Sequence, residues 1–263
     1  MRLYCTTSMT CREFHVLKGR PNLYPIHRWQ AFARLTVDEE EALLTLGKTE
    51  VTRHAGETIR SEGDAASGFY LLVHGWVSSS IVLRSGARLI QKVHLPGAML
   101  GVPSMALTRA ADTLTAITEA TVAFVPFERL GPIYATLPRL AALFTFAAQV
   151  ERLALMDTLA VTGRASAKEQ LARLLLDLHA RLVPIGAVED DAFDLPLTQE
   201  IIGDLTGLTA VHVNRKLREL REEGLFAREG RKVRILDLAA LRALSPIKPR
   251  LLQFEPAWLP SSG

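Results

Sequence analysis

The chain has 263 residues, of which 48% are hydrophobic and 22% charged, and it carries a formal net charge of +3 with a pI near 9.0. This length can hold two domains with a core each, and the composition is ordinary for a soluble globular protein. No uncharged apolar run is long enough to span a bilayer, and the N-terminus lacks the apolar core of a secretory signal peptide. We therefore expect a cytoplasmic protein that does not insert into a membrane.

Residues 1–27 form a polar leader with no clear pattern, and they contain the only two cysteines, Cys5 and Cys11. An iron–sulfur cluster usually needs four thiolate ligands, so one chain cannot hold such a cluster with two. We expect two reduced thiols in a mobile arm, in line with cytosolic redox conditions. A redox role or a site between subunits is the alternative. No cofactor and no metal site is predicted.

A short helical segment and a β-rich region follow the leader. Thr36 precedes four acidic residues, which is typical of a helix start, and the helical pattern covers residues 29–46. Short strands with glycine-containing turns then occupy residues 49–127. The candidate strands are residues 69–73, 76–83, 89–94, 114–118 and 121–126. Strands at this spacing predict a small barrel or roll, to which we assign residues 28–136.

Residues 137–162 are predicted to form one long helix. Apolar residues repeat along one side of it at heptad spacing, and several of them are small, which would let two copies approach closely. We therefore expect a homodimer through this seam. Its residues are Leu140, Leu143, Ala147, Val150 and Ala154. A second apolar face, formed by Leu153, Met156 and Leu159, is expected to rest on the β-roll. The alternative is a helix that one chain buries on both sides.

Residues 163–245 are predicted to contain a helix-turn-helix, and residues 246–263 a C-terminal tail. Ser166 begins a capping box that opens the first helix of this region. Further on, Thr198 can cap one short helix and Thr209 the next. Gly207, between these two helices, supplies the backbone freedom that a sharp turn requires.

The second helix of this motif has two distinct faces. Val213 and Leu217 belong to an inward apolar stripe, whereas the opposite face is basic and can form hydrogen bonds. Such a face at the start of a second helix suits insertion into the DNA major groove. The predicted DNA-contacting residues are Thr198, Thr209, Ala210, Val211, His212, Asn214, Arg215, Lys216 and Arg218. A solvated helix in an unrelated helical protein is the alternative.

The types of these residues suggest different roles. Arg215 can bond bidentately to guanine and Asn214 to adenine, while Ala210 and Val211 can contact a thymine methyl group. The residues Thr198, Thr209, Lys216 and Arg218 are better assigned to phosphates, which position the domain without specifying sequence. His212, in the first turn, could reach either a phosphate or a base edge.

A hairpin follows the second helix and strengthens the prediction. Residues 225–235 read as two strands that turn at Glu229 and Gly230, which would make a wing. Between residues 207 and 234 there are eight basic and four acidic residues, a difference of +4, against +3 for the whole chain. The basic excess therefore lies where a phosphate backbone would run.

The motifs Gly56-Glu57-Thr58-Ile59, Glu62-Gly63-Asp64 and Phe69 to Gly75 are similar to the pattern of cyclic-nucleotide-binding domains. Together with the long helix and the winged helix, they make the chain resemble the Crp/Fnr family of bacterial transcription regulators over residues 30–240. The resemblance implies an α+β fold with an N-terminal double-stranded β-helix or β-roll, a dimerisation helix and a C-terminal winged helix-turn-helix. It also implies a homodimer that binds a two-fold-related site on double-stranded DNA and works with RNA polymerase.

Residues 97–113 match the family's ligand cassette, but they depart from it at two positions. In relatives that bind cyclic AMP, a glutamate holds the ribose and an arginine pairs with the phosphate. Val102 and Ala111 stand at those places, and Asp112 would repel an anion. Arg109 is the nearest possible substitute. We therefore expect no cyclic-AMP binding by the usual chemistry, and the effector is unknown.

The predicted function is that of a sequence-specific DNA-binding transcription regulator. The chain has no glycine-rich phosphate loop, nucleophile motif or metal-binding spacing, so we expect no enzyme activity. The main alternative is a regulatory protein that responds to a cyclic nucleotide or another small ligand and acts on an enzyme partner. That protein would need the missing cassette residues and would not use a wing. A dimeric scaffold that does not bind DNA is a third possibility.

Overall fold

The computed structural model describes residues 24–47 and 49–261. Cys5 and Cys11 lie outside the described residues, so the expectation for these thiols stays a prediction. The helices are α1 (His27–Gln30), α2 (Val37–Thr45), α3 (Leu130–Thr136), α4 (Pro138–Arg164), α5 (Ala167–Leu182), α6 (Gln199–Thr206), α7 (Ala210–Glu222) and α8 (Leu238–Leu244). The strands are β1 (Glu50–Arg53), β2 (Thr58–Arg60), β3 (Gly68–His74), β4 (Val77–Val82), β5 (Arg88–His94), β6 (Met99–Leu100), β7 (Thr113–Ala116), β8 (Ala120–Pro126), β9 (Ala192–Asp194), β10 (Phe226–Glu229) and β11 (Lys232–Ile235).

The N-terminal strands form a β-roll of two antiparallel four-stranded sheets, ordered β1-β8-β3-β6 and β2-β7-β4-β5. Apolar side chains from both sheets fill its interior, among them Leu72, Leu100 and Leu114, each fully buried. The turn between β3 and β4 requires Gly75. Its φ is +85°, and an added Cβ would lie 2.1 Å from the carbonyl oxygen of Glu119. The predicted roll and the α+β class are thus confirmed.

The five candidate strands correspond to β3, β4, β5, β7 and β8. The helical segment predicted over residues 29–46 is instead divided into α1 and α2. Thr36 begins a new helix because its hydroxyl accepts a hydrogen bond from the Glu39 amide at 3.3 Å, while the Glu39 carboxylate accepts one from the Thr36 amide at 2.9 Å. The capped start at Thr36 is therefore confirmed, and the predicted helical stretch consists of two short helices with a non-helical link between them.

Helix α4 packs along the β-roll through the residues that were expected to form the dimer seam. Leu140 and Leu143 are fully buried, and Ala147 is 4% exposed, in a core that also contains Trp29 and Phe69 of the same chain. Val150 packs against the edge of this core and, like Ala154, is half-buried. The predicted seam is therefore wrong for Leu140, Leu143 and Ala147, which are buried by their own chain, and stays a prediction for Val150 and Ala154.

The apolar face that was expected to rest on the roll is largely exposed. Met156 and Leu159 are 55% and 75% exposed, and only Leu153 is half-buried. Both faces repeat at helical spacing, so periodicity alone could not tell which one the roll would cover. Exposed positions continue along this side of α4, and we call the following set the free stripe: Ala148, Arg152, Leu155, Met156 and Leu159.

The C-terminal domain consists of α5 to α8 and a sheet ordered β10-β11-β9. The capping box of Ser166 and Glu169 starts α5, as predicted. Buried residues of this domain, such as Leu175 and Val213, form one continuous cluster with Trp76 and Ile90 of the β-roll. The two domains are also joined by an ion pair in which the Arg88 guanidinium binds the Asp204 carboxylate at 2.5 Å.

Residues 246–261 return to the N-terminal domain. The Arg250 guanidinium binds the Asp157 carboxylate of α4 with a shortest distance of 2.5 Å, and the Glu255 amide donates to the Phe32 carbonyl at 2.9 Å. The Trp258 ring lies 5.9 Å from the ring of Phe146, also on α4. The tail therefore ties the end of the DNA-binding domain back to the roll. No helix among the described residues is long and apolar enough to cross a membrane.

Candidate nucleic-acid interface

Two capped helices and a left-handed turn build the predicted helix-turn-helix. The Thr198 hydroxyl accepts a hydrogen bond from the Ile201 amide at 3.3 Å, and the Thr209 hydroxyl accepts one from the His212 amide at 3.2 Å. Each threonine satisfies an amide at the start of its helix, α6 or α7. Gly207 ends α6 with a φ of 72°, a conformation that glycine adopts without strain. The local motif is confirmed residue by residue.

Close packing between α6 and the turn depends on Gly203, which the sequence analysis did not single out. A Cβ at this position would lie 2.6 Å from the Leu208 carbonyl oxygen. Any side chain would therefore push the turn, and with it the start of α7, away from α6. A glycine four residues before Gly207, inside an otherwise helical pattern, was the available signal.

The two faces of α7 are separated as predicted. Val213 and Leu220 are fully buried, and Leu217 is 8% exposed, where the helix meets the domain core. On the opposite side Val211 is 81% exposed, and Asn214, Arg215 and Arg218 are exposed as well. Thr198 and Thr209 are exposed, whereas Ala210, His212 and Lys216 are half-buried.

The basic residues of α7 differ in their ion pairs. The Lys216 ammonium binds the Glu219 carboxylate at 2.7 Å and thereby lowers the pKa of that carboxyl group, and the Arg218 guanidinium lies 3.5 Å from the Glu222 carboxylate. Within the part of the chain that the structure describes, the Arg215 side chain has no ionic or hydrogen-bonding partner. Its guanidinium is therefore available to a ligand without first breaking a bond.

A basic groove runs between α6, α7 and the β10–β11 hairpin, which is the predicted wing. It encloses about 360 Å³. Its polar side chains are Thr198, Gln199, Glu200, Asn214, Arg218, Arg221 and Arg228, so three cations accompany one carboxylate. Arg221 and Arg228 were recognised from sequence only as part of the basic excess, and the structure brings them beside three of the predicted contact residues. Val211 and Arg215 lie outside this groove on the exposed face of α7.

The wing itself is held in place by polar contacts. Its strand β11 also pairs with β9, a short strand that the sequence analysis missed. The Arg231 guanidinium binds the Asp194 carboxylate of β9 at 2.9 Å, and Arg234 donates to the Asp190 carbonyl at 2.9 Å. Lys232 is exposed. A charged, anchored hairpin beside α7 is suited to contact a phosphate backbone.

The cassette of the β-roll contains a buried ion pair. The guanidinium of Arg60, on β2, binds the Asp112 carboxylate and donates to the Ser104 hydroxyl at 3.3 Å, and its side chain is only 5% exposed. It fills the space beside Gly101, where an added Cβ would lie 2.4 Å from an Arg60 nitrogen. Arg109 is exposed and donates to the Gly63 carbonyl at 3.0 Å instead. The cassette interior is thus occupied by the chain's own cation.

Comparisons with known proteins agree with this architecture. Residues 50–136 match the cyclic nucleotide-binding domain, and residues 169–244 match the Crp-like helix-turn-helix domain. A β-roll of the first kind followed by a winged helix of the second defines a DNA-binding regulator with a sensor-type domain.

Individual relatives place the chain more narrowly. It is 31% identical over 192 residues to the nitrogen fixation regulation protein FixK of Bradyrhizobium diazoefficiens, covering 73% of this chain and 79% of that protein. It is 28% identical over 211 residues to the transcriptional activator protein FnrA of Stutzerimonas stutzeri, covering 80% of this chain and 86% of that protein. The solved structure of FixK2 from Bradyrhizobium japonicum superposes with a TM-score of 0.68 at 28% identity, covering 76% of this chain and 98% of that one.

The chain belongs to the Crp/Fnr family of transcription regulators. It is a DNA-binding regulator of transcription, as its motifs predicted.

Proposed function

We propose that the protein is a homodimer whose two α7 helices enter successive major grooves of a two-fold-related operator. The observation that carries this proposal is the exposed face of α7. There Arg215, which has no ionic partner among the described residues, stands beside Asn214 and Val211 and next to a basic groove. A helix of this kind reads base edges with its first turns while flanking cations hold phosphates.

The dimer is proposed to form along the free stripe of α4 and not along the seam first predicted. Leu155, Met156 and Leu159 are each at least half exposed, which leaves an apolar strip on a helix whose other side is already buried. Pairing of two such strips would remove the apolar surface from water and place the two DNA-binding domains about a two-fold axis. Half-sites roughly 34 Å apart are expected for this docking class.

Individual contacts are proposed from the placement of each side chain. Arg215 and Asn214 would bond to base edges, and Ala210 and Val211 would touch thymine methyl groups. Phosphates would be held by Thr198, Thr209, Lys216 and Arg218, together with Arg221 and Arg228 of the groove. His212 lies half-buried in the first turn of α7, from which either a phosphate or a base edge is in reach.

Selection of binding sites from randomised DNA duplexes, followed by sequencing, tests the proposal directly. Arg215→Ala should weaken binding to the selected site by about 1–3 kcal/mol and relax the preference at one position in each half-site. Lys216→Ala is the matched control on the same helix. It should weaken binding to all sequences alike and reduce the salt dependence by about one unit. An unchanged sequence preference in Arg215→Ala would show that this face does not read the major groove.

The β-roll is proposed not to bind cyclic AMP. Val102 and Ala111 lack the partners for ribose and phosphate, and the Arg60–Asp112 pair fills the cassette. Calorimetry should detect no binding of cyclic AMP with a dissociation constant in the low micromolar range or below. A dissociation constant in that range or below would contradict the proposal.

The remaining parts of the proposal concern the protein's partners and its cellular location. Relatives carry names such as transcriptional activator, which supports an interaction of the DNA-bound dimer with RNA polymerase. The DNA target lies in the bacterial cytoplasm, and we place the protein there. The absence of catalytic motifs from the sequence supports a regulator without enzyme activity.

A further inference from the structure

A cavity of about 350 Å³ lies between the β-roll and the DNA-binding domain, away from the cassette. Its walls come from α1, β5 and α4 on one side and from α5 and α6 on the other. Leu252 of the C-terminal tail completes the lining. The volume falls within the range of small-molecule sites, and such sites often lie at domain interfaces.

Most of the cavity wall is apolar. Phe32 from the N-terminal domain, Leu155 of α4, and Leu174 and Leu178 of α5 all line it. An apolar ligand body placed here would lose contact with water on all these sides, which is the main source of binding free energy in such sites.

One part of the wall carries an excess of positive charge. Arg28 and Lys92 both bind the carboxylate of Glu151. The Arg181 guanidinium binds the Asp177 carboxylate at 3.1 Å and donates to the Val93 carbonyl at 2.6 Å. Arg173 shares Asp177 at 3.9 Å. The cluster thus contains four cations and two carboxylates, and each carboxylate is already shared by two of the cations.

The electrostatics of this cluster favour a further anion. Burial, together with the nearby Arg181 and Arg28, holds the pKa of Lys92 well below its usual value. Burial also lowers the pKa of Arg28, and Arg181 lowers it further. Each of these shifts records the cost of keeping like charges close together away from water, and an incoming anion would offset that cost.

Two residues of the lining also carry an unpaired buried polar atom. Among the described residues, Nε2 of His27 and Oε1 of Gln170 are buried without any hydrogen-bonding partner. Both residues line the cavity. Buried polar groups are normally satisfied, so a ligand that drew either side chain towards the cavity would also satisfy an unpaired group. Burial lowers the pKa of His27, which keeps its ring neutral and able to donate or accept.

We infer that this cavity binds an amphipathic monoanion, with an apolar chain or ring along the helices and one carboxylate or sulfonate at the Arg28–Lys92–Arg181 cluster. Because both domains supply its walls, a bound molecule would stabilise the arrangement in which they are docked. Any influence of the bound anion on DNA binding, through this docked arrangement, rests on the proposed function. The binding of the anion itself does not.

Calorimetry with sodium octanoate on the full chain tests the site, with octylamine as the probe of equal length and opposite charge. Octanoate should bind, and octylamine should not. Lys92→Met should weaken octanoate binding by about tenfold or more, as expected for the loss of a charged hydrogen-bonding partner, while Arg28 still holds Glu151. Lys168→Met is the matched control, because Lys168 also binds a glutamate, Glu223, but outside the cavity.

A second variant fills the space itself. Ala154 lines the cavity, so Ala154→Phe should abolish octanoate binding while the circular dichroism spectrum stays that of the wild type. Equal binding of octylamine, or octanoate binding that neither Lys92→Met nor Ala154→Phe weakens, would overturn the inference.

A gel shift of DNA with and without octanoate separates the inferred ligand site from the proposed DNA-binding function. DNA binding without any octanoate binding refutes only the ligand site, and octanoate binding without DNA binding refutes only the proposed regulator.

Discussion

Replacement of Asp112 by alanine should strongly destabilise the β-roll. The Arg60 side chain is 5% exposed and the Asp112 side chain 12%. Among the residues that the structure describes, Nε and Nη1 of Arg60 are already buried without a partner. Of its contacts with described residues, the guanidinium in Asp112→Ala would keep only the hydrogen bond to Ser104, and its charge would be buried without compensation. Breaking one partner of a buried ion pair costs about 3–5 kcal/mol.

The lower end of that range applies here, because Asp112 retains some exposure and Ser104 still accepts one hydrogen bond. About 3 kcal/mol corresponds to a change of roughly 150-fold in the folding equilibrium. Arg60→Met should cost less, since the remaining Asp112 carboxyl group can take a proton, and its pKa is already raised by burial. Replacing both with apolar residues (Arg60→Met with Asp112→Leu) should recover most of the loss.

Urea unfolding followed by circular dichroism and tryptophan fluorescence measures these differences, after the two probes are shown to report one transition. Asp194→Ala is the matched control. It breaks the ion pair to Arg231 in the wing, where both side chains are 60% exposed, and should cost under about 1 kcal/mol. If Asp112→Ala unfolds at the same urea concentration as the wild type, Arg60 is not a buried, paired cation and the reasoning is refuted.

Three further predictions concern the dimer, the helix cap and the tail. Leu159→Asp should convert the proposed dimer to a folded monomer, as measured by light scattering, because Leu159 is 75% exposed on the free stripe. Leu143→Asp should instead unfold the chain, because Leu143 is fully buried. A wild type that is itself a monomer at micromolar concentration would contradict the dimer prediction. Thr209→Ala should lower stability by about 1 kcal/mol, measured by thermal unfolding, since it removes the N-cap of α7. The hydrogen bond from Arg250 lowers the pKa of Asp157 in the folded protein. Docking of the tail is therefore fully favoured above about 3.9, the pKa of an aspartate in the unfolded chain. It is lost as the pH falls through the lower pKa of Asp157 in the folded protein. The anisotropy of a fluorophore at the C-terminus should drop over that acidic range in the wild type and already be low at neutral pH in Arg250→Gln.

Several elements were predictable from sequence because their determinants lie within a few residues of each other. The caps at Thr36, Ser166, Thr198 and Thr209 each join a side chain to an amide three residues away. The left-handed turn at Gly207 depends on a single backbone position. The two faces of α7 follow from helical periodicity, and so the exposed basic face could be distinguished from the buried one before any tertiary contact was known.

Weak local patterns explain the elements that sequence did not predict. Strands β1, β2 and β9 have only three or four residues each. Their side chains do not alternate cleanly between buried and exposed, and β1 has no fully buried residue. These strands form because longer neighbours offer them an edge, as β8 does for β1 and β11 for β9.

The sequence by itself determined the class of fold, the helix-turn-helix and its basic face, and the loss of the usual cyclic-AMP partners. Tertiary structure decided which apolar stripe of α4 is exposed, because two stripes of similar spacing could each pack on the β-roll. The stripe with Leu140 and Leu143 is the buried one, since these residues lie in the same core as Trp29. Tertiary structure also paired Arg60 with Asp112, 52 positions apart, and Asp157 with Arg250, 93 positions apart. Contacts between residues so distant leave no periodic or local signal in a single sequence, and they arise only when the domains pack.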